Sequence, residues 1–189
     1  MKILAFAATS SRQSINKQLV QAAADIVTSD LDQLAEIEIL DLNDYEMPIY
    51  SIDRENEGGI PEEAKRFYEK IGAADAVIIS YAEHNGTYTA AFKNVFDWAS
   101  RISMKVFQGK PQIILSASMG PGGAASVLKS ALGSAGFFGA DVRGSLSVGP
   151  FGEKFDIEAG TLTDDALNES LREALKALLE ERSAVEEAA

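Results

Sequence analysis

The chain has 189 residues, 46% hydrophobic and 24% charged, an ordinary composition for one globular domain with an ample core. It has no cysteine and one histidine, His84, which excludes disulfides, thiolate metal sites, cysteine nucleophiles and histidine-rich metal centres. A net charge of -12 without a basic stripe argues against nucleic acid and anionic membrane as partners.

Lys2–Ala7 reads as a short buried strand, and Ile15, Leu19, Ala22, Ala23 and Ile26 then mark one face of a helix. Glu36–Leu40 alternates, with Ile37 and Ile39 on one side, as a second strand. Residues 41–60 show no clear period and form an unusually long connection, which in a compact domain tends to be functional. Pro61 and two glutamates open another helix, with Phe67 and Ile71 on its apolar face and Gly72 as its expected close. Ala76–Ser80 is a continuous apolar run, the pattern of a parallel strand covered on both faces. Phe92, Val95, Phe96 and Ala99 mark the next helix, and Gln112–Leu115 the fourth strand. After a glycine-rich turn comes a helix bearing Val127, Leu128, Ala131 and Leu132, then a weaker fifth strand at 141–148. Thr163 is the expected cap of the last helix, with Asp164 and Asp165 in its first turn and Leu167, Leu171, Leu175 and Leu178 on its buried face.

Strands alternating with helices predict an α/β domain over residues 1–182, a parallel sheet with helices on both faces, and a frayed acidic tail over 183–189. No run approaches the roughly 18 apolar residues of a membrane span, and Met1–Ala8 does not read as a signal peptide; the default location is the cytoplasm. In such sheets, ligands bind beyond the carboxyl ends of the strands where the winding reverses. Attention therefore falls on the loops after strands one, three and four.

The first loop carries Thr9, Ser10, Ser11, Ser14 and Asn16, a dense set of donors just before a helix N-terminus, which is a ready anion site. It is neither a Walker loop nor G-x-G-x-x-G. Ser14 as an ordinary cap on a polar turn would also account for it, and Arg12 either adds charge or faces solvent. The third loop, Tyr81-Ala82-Glu83-His84-Asn85-Gly86-Thr87-Tyr88, has a glycine that permits close backbone approach to something flat. The fourth, Ser116-Ala117-Ser118-Met119-Gly120-Pro121-Gly122-Gly123, is rich in serine and glycine.

Taken in order, these motifs resemble the NAD(P)H-dependent FMN reductase family, which includes quinone, azo-dye and chromate reductases. Glu83, Asn85, Gly86, Lys93, Asn94, Asp97 and Trp98 match its P-E-Y-N-G-S and L-K-N-x-x-D-W segments, with Ala82, His84 and Phe92 as departures. Ser14 and Asn16 keep the closing S-x-N of its first loop, where Ala8 replaces a common glycine. Met47-Pro48-Ile49-Tyr50 is similar to its L-P-x-Y element, and the likeness spans roughly residues 1–150.

The resemblance implies a flavodoxin-like three-layer sandwich with a five-stranded parallel sheet in the order 2-1-3-4-5. It implies FMN, its phosphate on Thr9, Ser10, Ser14 and Asn16. The ring would lie between Tyr81, Ala82, Glu83, His84, Asn85 and Gly86 on one side and Ser116, Ser118, Gly120 and Gly123 on the other. Hydride would pass from NADPH or NADH through flavin N5 to a quinone, azo compound, flavin or similar small electron acceptor, with no catalytic side chain of its own. A homodimer or homotetramer is implied too, with the segment after strand two completing the pocket. A flavodoxin-type electron carrier is the alternative. A phosphate-binding hydrolase lacks the expected cysteine or aspartate pair. His84 and Lys93 each have a plain structural or solvent-facing alternative, and Asp97 and Trp98 are expected to hold a helix or an interface.

Overall fold

A computed structural model describes the backbone of residues 1–186 and the side chains of residues 1–179. In chain order its first elements are β1 (Lys2–Ala7), α1 (Ile15–Ile26), β2 (Glu36–Leu40), α2 (Ile52–Gly58), α3 (Glu62–Ala73) and β3 (Ala76–Tyr81). Next come β4 (Glu83–His84), β5 (Thr87–Tyr88), α4 (Ala90–Ile102), β6 (Pro111–Ala117) and α5 (Ala125–Ala135). The chain continues with β7 (Asp141–Val148), α6 (Phe151–Lys154), β8 (Phe155–Asp156), β9 (Thr161–Leu162) and α7 (Asp165–Glu186). Residues 183–186 continue α7, and 187–189, within the expected tail, lie outside the described residues.

β2, β1, β3, β6 and β7 pair in that order as a parallel sheet, the arrangement expected for a flavodoxin-like fold. Every residue of β3 is buried, because helices cover both sides of it. Leu4, Phe6, Val77, Ile79 and Ile114 face α3, α4 and α5, with Phe6 edge-on to Phe67 at 5.6 Å. Ile3, Ala5, Ile78, Ile113 and Leu115 face α1 and α7, where Leu171, Leu175 and Leu178 are buried. Each fully buried side chain of this size contributes about 1.5–3 kcal/mol. β2 is an edge strand, so Ile39 remains 48% exposed even though its period reads as a buried face.

Three local expectations change. Residues 41–60 hold a 3-10 turn at Leu42–Tyr45 and the short helix α2, capped by the Ser51 hydroxyl. Seven residues with none buried leave no periodicity to read. Gly72 does not close α3; it lies within the last turn, where its carbonyl accepts from Lys110 Nζ at 2.8 Å. Asp164, not Thr163, caps α7 by accepting the Leu167 N–H at 3.1 Å. Thr163 is already committed, its N–H to the Lys154 carbonyl and its hydroxyl to that of Glu153.

Candidate functional site

The chain leaves β1 outward to β2 and returns to β3 on the other side of β1, so the winding reverses between β1 and β3. Strand register sets Ala7 beside Ser80 and Tyr81 beside Ser116, which brings the three suspected loops to one edge. In the first loop, Thr9 is buried and its Oγ1 accepts the Ser11 N–H at 3.2 Å, folding the turn. Ser14 caps α1 through the Asn16 N–H. Ser10, Ser11 and Arg12 are exposed, and Ser14 is partly so. Among the described residues, the N–H groups of Ser10, Arg12, Gln13, Ser14 and Ile15 have no acceptor within the chain. Hydroxyls and free amides thus converge at the positive end of a helix.

Asn16 has a structural role that its place in the sequence does not announce. It is 2% exposed, and its Oδ1 accepts from the Ser80 hydroxyl at 2.7 Å and the Ala117 N–H at 3.0 Å. Its Nδ2 donates to the Ala117 carbonyl at 3.2 Å. The side chain therefore bolts α1 to the ends of β3 and β6. Thr89 adds a second brace: it caps α4 and donates its hydroxyl to the Ala8 carbonyl at 2.8 Å.

After Tyr81 and Ala82, both buried, the third loop forms an antiparallel ladder of β4 with β5. Asn85 and Gly86 turn it with φ of 52° and 79°, the pair of positive values that a two-residue type I′ turn requires. The Asn-Gly pair carries this hairpin signal in the sequence, although the glycine reads there as room for a ligand. His84 and Asn85 are exposed on this hairpin. Glu83 reaches sideways, its carboxylate accepting the Val127 N–H of α5 at 2.9 Å. Ala124, at the α5 N-cap, offers no capping side chain, so Glu83 serves from another loop and its negative charge complements the helix dipole. Tyr81 stands edge-on to Phe92 at 5.2 Å; burial, with Tyr88 adding to it, pushes its phenol well above the usual range and keeps it neutral.

Hydroxyls in the fourth loop are used internally. Ser116 donates to the Gly123 carbonyl at 2.7 Å, and Ser147 on β7 donates to the same oxygen at 2.8 Å. Ser118 donates to the Gly120 carbonyl and accepts the Ala124 N–H. Gly149, which composition did not single out, closes the back of this loop. A Cβ there would lie 2.5 Å from both Gly120 O and Gly123 N, so no other residue fits without moving the backbone. At the front, a Cβ on Gly120 or Gly122 would meet nothing within 4 Å, leaving that rim accessible.

The K-N-x-x-D-W segment lies along α4 and acts as a clamp. Asn94 accepts the Tyr50 N–H at 2.8 Å and donates to the Met47 and Pro48 carbonyls. Trp98 Nε1 donates to Pro48 O at 2.8 Å, and its ring meets Tyr50 edge-on at 5.0 Å. Lys93 pairs with Asp97 one turn on, at the surface. These contacts hold 47–50 beside the site while leaving Ile49 74% exposed. No group of three or more metal-ligating side chains comes together among the described residues.

The family model described as NADPH-dependent FMN reductase matches residues 1–150. A 2-hydroxy-1,4-benzoquinone reductase of Burkholderia sp is 34% identical over 126 residues, 66% of this chain and 64% of that protein. An NADPH:quinone oxidoreductase of Arabidopsis thaliana is 30% identical over 184 residues, 94% of this chain and 90% of that protein. In structure, the flavoenzyme NAD(P)H:(acceptor) oxidoreductase of Paracoccus denitrificans shares the fold with a TM-score of 0.74 at 22% identity, covering 95% of both chains. FMN fits the donor chemistry of this edge: a phosphate meets free amides and hydroxyls at α1, and a flat ring meets the open rims of the other two loops.

Proposed function

The chain belongs to the NADPH-dependent FMN reductase family, and on that footing we propose that it is an FMN-dependent NAD(P)H oxidoreductase that reduces quinones and similar flat acceptors. One observation carries the reading: free N–H groups and exposed hydroxyls gather at the α1 N-terminus, at the point where the sheet's winding reverses. Bound FMN would supply the hydride-accepting and hydride-donating ring. The chain's part is to bind, orient and shield it. Ser10, Ser14 and the amides around them hold the phosphate. The Tyr81–Gly86 hairpin and the Ser116–Gly123 loop flank the ring, while Asn16 and Thr89 fix the spacing between loops. Amides at the glycine rim stabilise negative charge on the ring without reorganising. Quinones lead the proposed acceptors because two of the similar proteins bear quinone-reductase names; azo compounds and free flavin have the same flat chemistry.

The reading includes one domain over residues 1–182, a cytoplasmic location, and a homodimer or homotetramer. Exposure of Ile49 and Ile52 (74% and 53%) beside the site supports a second subunit covering that segment. No helix among the described residues is long and apolar enough to cross a membrane.

The test is an anaerobic titration. Purified protein reconstituted with FMN should lose its yellow absorbance when NADPH or NADH is added and regain it with a quinone. If neither nucleotide bleaches the flavin, the electron-carrier alternative replaces the enzyme. If FMN changes neither melting temperature nor fluorescence, both readings fail.

A further inference from the structure

Gln112 stands near the start of β6 with its side chain on the same face as Ile114, toward α4 and α5. It is 0% exposed, and neither its Oε1 nor its Nε2 has a hydrogen-bond partner among the described residues. Burying an unpaired donor or acceptor costs about 1–3 kcal/mol, so a native chain rarely keeps two without a use for them. Gln112 lines a cavity of about 360 Å³ between α4 and α5, within the range of small-molecule pockets. The space exists because α5 presents only small residues there, Ser130, Ala131, Ser134 and Ala135. Opposite them, Phe92, Phe96, Phe107 and Phe138 form an aromatic wall with ring centroids 4.7–5.6 Å apart.

We propose that this cavity is a second small-molecule site, separate from the flavin edge, which takes a flat bicyclic aromatic bearing a lactam or carboxamide. A primary amide offers a donor beside an acceptor, and a lactam satisfies both in one cyclic pair of hydrogen bonds. A quinone offers acceptors only and would leave Oε1 unpaired, so the quinones proposed for the redox reaction have the wrong chemistry for this place. The aromatic walls supply stacking and edge contacts for the ring. Tyr81 and Tyr88, at either end of the hairpin that flanks the proposed flavin ring, also line the cavity. An occupant therefore touches the back of that hairpin and perturbs the flavin in front of it.

The probe is 2-quinolone, titrated calorimetrically into FMN-loaded protein. We expect saturable one-to-one binding, a shift in the flavin absorbance band, and at least tenfold weaker binding of quinoline, which lacks the lactam. Gln112→Leu should weaken 2-quinolone at least tenfold and erase its advantage over quinoline, with the flavin spectrum unchanged. Ala131→Phe, which fills the space from α5, should abolish binding. Calorimetry reads binding whether or not the flavin turns over, so failure here is distinct from failure of the redox reading. No saturable heat with the wild type, or equal affinity in Gln112→Leu, overturns the proposal.

Discussion

Two serine-bearing loops share one edge of the sheet and use their hydroxyls in opposite ways. After β1, Ser10 and Ser11 remain exposed beside amides with no acceptor among the described residues. After β6, Ser116 and Ser118 both donate to carbonyls of their own loop, those of Gly123 and Gly120. Both loops run into a helix, α1 or α5, whose first-turn N–H groups lack intrahelical partners. At α5 the rest of the fold supplies acceptors, Ser118 for the Ala124 N–H and the Glu83 carboxylate for the Val127 N–H, and the glycine turn brings the Gly120 and Gly123 carbonyls within reach of the nearby hydroxyls. At α1, Thr9 and Ser14 accept the Ser11 and Asn16 N–H groups, and the remaining ones keep no acceptor among the described residues. Serine content marks both loops as polar; surroundings decide which one can still donate to a ligand.

Substitutions can break or sharpen that contrast. The largest effect is expected for Asn16→Ala, which leaves the Ala117 N–H and carbonyl and the Ser80 hydroxyl without their partner. Urea denaturation should register a loss of about 3 kcal/mol. Gly149→Ala comes next: the added methyl meets loop backbone, and overpacking of this kind costs about 1–3 kcal/mol. FMN affinity should fall at least tenfold by fluorescence titration, and an unchanged affinity would remove the 116–123 loop from the ring site.

Ser10→Ala should raise the FMN Kd about tenfold, equivalent to about 1.4 kcal/mol, while the melting temperature of the flavin-free protein stays put. Ser118→Ala should do the reverse, lowering stability by about 1 kcal/mol with FMN Kd nearly unchanged. Observing the opposite pair of results would erase the distinction between the loops. The smallest effect concerns acid. The Lys154 ammonium bonded to Asp164, with the Leu167 N–H assisting, holds that carboxyl below its ordinary 3.8. A lowered folded value means its contribution is present above that pH and disappears as pH falls through it. Asp164→Asn should therefore reduce the melting temperature at pH 7, and the difference from the wild type should shrink as pH falls below 3.8.

Five main strands were legible because continuous apolar runs and alternation are properties of the chain itself. The three loops were legible because a parallel βα order fixes which strand ends face one way. Helix α2 and the true cap of α7 were not, since seven exposed residues carry no period and Thr163 is diverted by a hairpin partner nearby in space. The distribution of roles within the site was hidden for the same reason. Asn16 gives no sign in the sequence that its amide braces Ala117, 101 residues away. Glu83 gives no sign in the sequence that it caps a helix starting at Ala125.

By itself the sequence determined the alternation of elements, the edge where the three polar loops meet and the kind of donors gathered there, because backbone periodicity and helix-end chemistry are local. Only the tertiary structure decided which of those donors remain free. That depends on carbonyls and amides brought within about 3 Å from distant parts of the chain, and no local pattern encodes such a meeting.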